Sequence, residues 1–241
     1  MSSPSRMLPA TIWQRELVEF LQRRRALVIK LSFPLLIGMP LILGGAPLFS
    51  AATALTMLVA VIGAVGSAAV LSRERSTGLA LRYRTLPVRP GRLLFERLAT
   101  NAAIDFLQIV PALILIGIRS PAGFAWWPAL ILTMAAVLAI GNLLGAVASI
   151  LSDSPGEVML FVFVPLLPAF FLSGLFTPFS DPVLLTVSRL LPFSYLHQSL
   201  LGALGGHPNL FPWETALGGA VFLVGAGGLI GLFGRRVVEA D

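Results

Sequence analysis

Six apolar runs punctuate the chain, at residues 26–49, 51–71, 98–118, 126–151, 157–176 and 215–233. Each is close to the roughly twenty residues a helix needs to cross the hydrocarbon core of a bilayer. The pattern predicts an all-α integral membrane protein with six transmembrane helices in a single domain spanning residues 1–241. Prolines inside several runs are compatible with this, because neighbouring helices re-satisfy the backbone groups a proline frees. Two segments have a different rhythm. In "TIWQRELVEFLQRRR", Trp13, Leu17, Phe20 and Leu21 share one helical face with arginines and glutamates opposite, and Thr11 and Gln14 have capping-box spacing. Residues 1–25 are therefore expected to include an interfacial helix, 26–233 the six-span bundle and 234–241 a short tail. Residues 180–214 are mostly apolar but interrupted. Val183, Leu184, Val187, Leu190 and Leu191 share a face, Pro192 breaks it, and a second short helix is expected over 194–204. Each piece is too short to span, which predicts re-entrant or interfacial helices before the last span.

Composition agrees with a lipid environment. The chain is 56% hydrophobic and 12% charged, whereas soluble domains average about 25% charged residues. Mean hydropathy is +0.90. A net charge of +6 would point to nucleic acid in a soluble protein, but no nucleic-acid motif is present. The arginines instead sit beside apolar runs, where they set orientation. Five lie in the first 25 residues, seven between Arg73 and Arg97, and two at Arg235 and Arg236. The opposite loops hold only Arg119 and Arg189. Six spans with both termini in the cytoplasm satisfy this asymmetry, which places the protein in the cytoplasmic membrane in contact with lipid.

Much familiar chemistry is missing. There are no cysteines, which excludes disulfides and thiolate sites. No P-loop, H-E-x-x-H or G-x-S-x-G motif occurs. A metal site at His197 and His207, or a triad of Ser194, His197 and Asp181, would rest on common residue types in one loop, so no catalytic and no metal residues are assigned. Gly141 and Gly145, and Gly227 and Gly231, have G-x-x-x-G spacing, which serves close helix packing within one subunit or between two. Asn101, Asp105 and Gln108 fall at i, i+4 and i+7 on the third span, so they share one face. A charge there costs at least about 2.5 kcal/mol against lipid. The stripe must face protein or water, either as an inter-helix hydrogen-bond cluster with Asn142 of span four or as the lining of a translocation path. An acid snorkelling to the inner interface is the third possibility.

The most unusual stretch is "RERSTGLALRYRTLPVRPGRLLFERL", a charged segment between spans two and three. Residues 73–84 are expected to form a short helix interrupted near Gly78, and Leu86-Pro87 ends it, since the residue before a proline is pushed out of the helical region; on composition alone the segment reads as a solvated loop holding orientation through lipid headgroups. The order of its residues resembles the signature of ABC-2-type permeases, the membrane subunits of ATP-driven exporters. Glu74-Arg75 is followed by Gly78, then Leu79 and Leu81, then Thr85-Leu86-Pro87, then Arg97 opening the next span. The six spans, the amphipathic N-terminal helix and the partly re-entrant segment are similar to that family as well, with daunorubicin-type drug exporters the nearest in impression. The chain departs from the pattern at Leu81-Arg82, where an acid is common, and at Arg89-Pro90, where serine is common. The resemblance implies a cytoplasmic coupling helix that docks on a separate P-loop ATPase, with Glu74, Arg75, Gly78, Leu79, Leu81, Arg82, Arg84, Leu86 and Pro87 as the coupling residues. It also implies a second permease copy, as a homodimer or heterodimer. The chain itself carries no cofactor, and Mg-ATP binds the partner ATPase. An ion-coupled secondary transporter or channel is the alternative; such proteins usually hold more ionisable residues inside the membrane.

Overall fold

The computed structural model describes residues 24–77, 90–120, 124–152 and 154–239. Within them lie eight helices and no strand: α1 (Arg24–Leu43), α2 (Leu48–Ser76), α3 (Pro90–Arg119), α4 (Trp127–Leu151), α5 (Pro155–Leu172), α6 (Pro182–Ser188), α7 (Pro192–Ala203) and α8 (Pro212–Glu239). The expected interfacial helix over residues 1–23 lies outside the described residues.

Four of the helices, α2, α3, α4 and α8, are long and apolar enough to cross a membrane. The first and fifth apolar runs form shorter apolar helices, α1 and α5. Both stop before their runs do, and the reason is local. The first run was expected to continue to Phe49, but the chain turns at Gly44-Gly45, where Gly45 has φ +72°, and Leu48 and Phe49 open α2 instead. The fifth run was expected to reach Phe176, but α5 is capped at Ser173 and Gly174 has φ +72°. Such a positive φ suits glycine and ends a helix. Hydropathy registers neither event.

Helix starts are set by proline. Five of the eight helices open on one, where its missing N–H costs nothing and its fixed φ fits the first turn. Side chains cap several of these starts, Glu214 among them, which accepts from the Phe211 N–H at 2.9 Å before α8. Ser154 accepts from the Glu157 N–H at 3.3 Å, and Asp181 accepts from Val183 N–H at 2.8 Å and Leu184 N–H at 3.1 Å.

α4 forms the centre of the bundle, packed most extensively on α2 and α8. Ala52, Thr56, Ala60, Ala64 and Ala68 repeat every four residues along α2 and are all fully buried. That smooth ridge lets α4 approach closely. A Cβ on Gly145 would stand 2.1 Å from Ser67 Oγ and 2.3 Å from the Ala64 carbonyl, and one on Gly141 would stand 3.0 Å from Ala64 N. The Gly141/Gly145 pair therefore packs within the subunit. Gly227 and Gly231 of α8 have nothing within 4 Å of an added Cβ among the described residues, so their Cβ side is open rather than packed on a neighbouring helix. Beneath α2, α4 and α8 sits α7, with Phe193, Leu196, Leu200 and Leu201 buried. Two short helices were expected here and two are present. α6 is the exposed one, with Val183 outside, while α7 is buried in protein.

Candidate coupling site and the interior polar cluster

The charged segment begins earlier, as structure, than its composition implies. α2 does not stop at Leu71 but continues to Ser76, so Arg73, Glu74 and Arg75 belong to α2 rather than to a separate short helix. On the other side, α3 starts at Pro90, which carries Arg92 to Arg97 on helix as expected. Gly78, Leu79, Leu81, Arg82, Arg84, Leu86 and Pro87 lie outside the described residues.

Glu74 and Arg75 both reach into the bundle. Arg97 Nη2 of α3 donates to Glu74 Oε1 in an ion pair. The pair is well sheltered, with side-chain exposures of 6% for Arg97 and 15% for Glu74. Next door, Arg75 Nη1 donates to the Ser149 carbonyl at 2.7 Å. Ser149 lies in the last turn of α4, where backbone carbonyls lack intrahelical partners and the helix dipole favours a cation. One turn of α2 thus binds α3 through Glu74 and α4 through Arg75. Arg92 points elsewhere: it pairs with Glu96 at 2.8 Å on the open face of α3.

The second constellation is in the interior. Because α3 begins at Pro90, Asp105 is near its middle, about 22 Å of helix rise from the first residue. Asn101, Asp105 and Gln108 are all buried. Asn142 Nδ2 of α4 donates to Asp105 Oδ2 at 3.0 Å and to the Leu138 carbonyl at 2.9 Å. Ser67 Oγ of α2 donates to the Asn142 carbonyl at 2.9 Å. A Cβ on Gly66 would lie 3.3 Å from the Asp105 carboxylate, so the acid is roofed by the α2 backbone. The cluster therefore ties α2, α3 and α4 together at mid-helix. The structure brings Asp105 and Asn142 into contact. Asn101 Nδ2 has no hydrogen-bond partner among the described residues.

A family model for ABC-2 family transporter proteins matches residues 42–234. The chain belongs to the ABC-2 transporter family. It is a multi-pass membrane protein and a membrane transport component. No curated protein and no solved structure matches it.

In this ABC-2 protein the short helices α6 and α7 supply structure. Ser194 Oγ donates to the Ser188 and Leu191 carbonyls, and Asp181 caps α6. His197 is buried in α7, with Nε2 3.3 Å from Thr53 Oγ1 and its ring edge-on to Phe49 at 4.8 Å. Thr53 Oγ1 also donates to the Leu175 carbonyl at 2.6 Å. Burial holds the His197 imidazole down at about 4. The three residues conceivable as a triad are thus each engaged separately. Among the described residues no group of three or more His, Asp or Glu is placed to hold a metal.

Sequence reasoning missed three contacts: Glu74 with Arg97, Arg75 with Ser149, and Thr53 with His197. The first had a signal. An acid at the end of one span and a base at the start of the next lie at the same membrane depth on neighbouring helices. The second had none, because a backbone carbonyl leaves no trace in a sequence.

Proposed function

We propose that this chain is the permease subunit of an ATP-driven exporter, moving an amphipathic or hydrophobic substrate (a drug, lipid, glycan or peptide) across the cytoplasmic membrane. Two permease copies, identical or different, work with two P-loop ATPase subunits that bind Mg-ATP. One observation carries this reading: the ABC-2 family match covers most of a chain that has no nucleotide-binding motif of its own. The energy must then come from a partner, and ABC-2 permeases typically work with an ATPase.

In this reading α1 and α5 complete a six-span bundle with both termini in the cytoplasm. Twenty helical residues in α1 and eighteen in α5 give about 30 and 27 Å of rise, close to the hydrocarbon thickness. Exposed apolar side chains such as Ile29 and Leu36 on α1, Val164 on α5 and Val224 on α8 face lipid or the second permease copy. The loop that joins α2 to α3 docks on the ATPase, with Leu79, Leu81 and Leu86 filling a cleft and Arg82 and Arg84 pairing with acids there. α6 and α7 close the external side. Asp105 and Asn142 act as an internal hydrogen-bonded seam, because Asp105 already has its partner inside the subunit, and Asn101 and Gln108 lie buried beside it on the same face of α3.

Gly78→Pro tests the docking element. The variant is expected to insert normally in the membrane and to lose ATP-driven transport. Binding of the ATPase and transport at the wild-type rate would remove the assignment.

A further inference from the structure

The Glu-Arg pair that opens the charged segment is where an ATPase contact was expected, yet both side chains turn inward. Glu74 meets Arg97 across the α2–α3 junction, and Arg75 holds the end of α4 through the Ser149 carbonyl. Together they bind three helix ends at the place where the segment leaves and re-enters the bundle. A push on a loop held by single backbone strands would be absorbed by bending at its two roots. Here the roots are tied to each other and to α4. The α2–α4 contact just above is packed too closely to slide, with Gly145 against Ser67 and Ala64.

We infer that Glu74, Arg75 and Arg97 are positioning residues that join the roots of the loop into one rigid body, so that displacement of the loop by a partner moves α2, α3 and the end of α4 together. This rests on the permease reading above. It assigns contact with the ATPase to the loop between α2 and α3, and transmission to the clamp beneath it. The arrangement is a small lever: a charge-assisted pair on one side, and on the other a cation on the carbonyl end of a helix.

The test uses the full-length chain with its P-loop ATPase in proteoliposomes, as wild type, Glu74→Gln, Arg97→Gln and the exchanged pair Glu74→Arg with Arg97→Glu. Three quantities are read: ATPase retained through purification, ATP hydrolysed, and substrate moved per ATP. The single variants are expected to retain the ATPase and its hydrolysis while substrate moved per ATP falls about tenfold or more, since each removes the charge-assisted contact that joins α2 to α3. The exchanged pair is expected to recover most of that ratio. Loss of the ATPase from the single variants, not recovered by the exchange, would make Glu74 and Arg97 partner contacts and overturn the inference. Unchanged coupling in the single variants would overturn it as well. Failure of the permease reading looks different: the wild-type chain itself would neither hold an ATPase nor respond to ATP. A thermal double-mutant cycle on the permease alone reads the clamp independently of transport. Additive losses at Glu74 and Arg97 would show that no clamp exists.

Discussion

Asn142 supplies the hydrogen bond that makes Asp105 tolerable in the middle of α3, and the two residues differ in what their loss should do. Asn142→Ala removes the donor and leaves a buried carboxylate short of a partner, at an expected loss of about 1–2 kcal/mol. Asp105→Asn keeps an acceptor at the same place, so folding and ATPase assembly are expected to survive nearly unchanged. Thermal unfolding in detergent distinguishes them; equal losses in both variants would show that the Asp105 charge contributes as much as the Asn142 donor and would contradict this account. His197 makes a second prediction at this scale. Burial lowers its folded-state pKa to about 4, below the unfolded value of about 6.5. The unfolded chain therefore binds the proton first. The contribution of neutral His197 to stability is complete above about pH 6.5 and declines as pH falls toward 4. His197→Gln should flatten the stability profile across that window, and a profile unchanged by the substitution would contradict the assignment. The interior acid was visible in the sequence as an i, i+4, i+7 polar stripe, and its partner Asn142 was a named candidate. The buried role of His197 was not visible, because a histidine in an apolar stretch looks the same at a lipid interface and in a protein core.

Helix contacts divide the two G-x-x-x-G pairs. Gly145→Val would place methyl groups into Ser67 and the α2 backbone, so α2 and α4 should separate. The expected result is a loss of several kcal/mol, of the order seen for overpacked cores, or failure to accumulate folded protein. Gly227→Val on α8 meets open space and should leave the folded subunit as stable as wild type. Comparing monodisperse yield and melting temperature for the two variants checks this, and similar losses at both sites would contradict the packing described. The two glycine pairs have identical spacing, so only the identity of the opposing helix separates them. The elements themselves were largely legible: six apolar runs correspond to six helices, and the interrupted segment before the last span gives α6 and α7. Their ends were less so. Runs of oily residues continue across Gly45 and Gly174, while backbone conformation does not. At the charged end of α2 the error ran the other way. The second span was expected to end at Leu71 with a separate short helix from Arg73, but Glu74 and Arg75 find partners on α3 and α4, and α2 continues through them.

For the whole molecule, a chain of the ABC-2 family with no cysteine is well suited to topology mapping by single introduced thiols. Cysteine at Ala46, in the turn between α1 and α2, is expected to react with impermeant reagent from outside the cell. Labelling from the cytoplasmic side alone would invert the six-span arrangement. The central claim is that this subunit draws its energy from a separate ATPase. Native mass spectrometry of the complex purified from its own membrane reads that claim most directly. The account predicts two permease chains with two nucleotide-binding P-loop ATPase subunits, and loss of those ATPases when residues 79–86 are replaced by a glycine-serine linker. A permease that leaves the membrane with no ATPase bound, yet moves its substrate down an ion gradient, would contradict it.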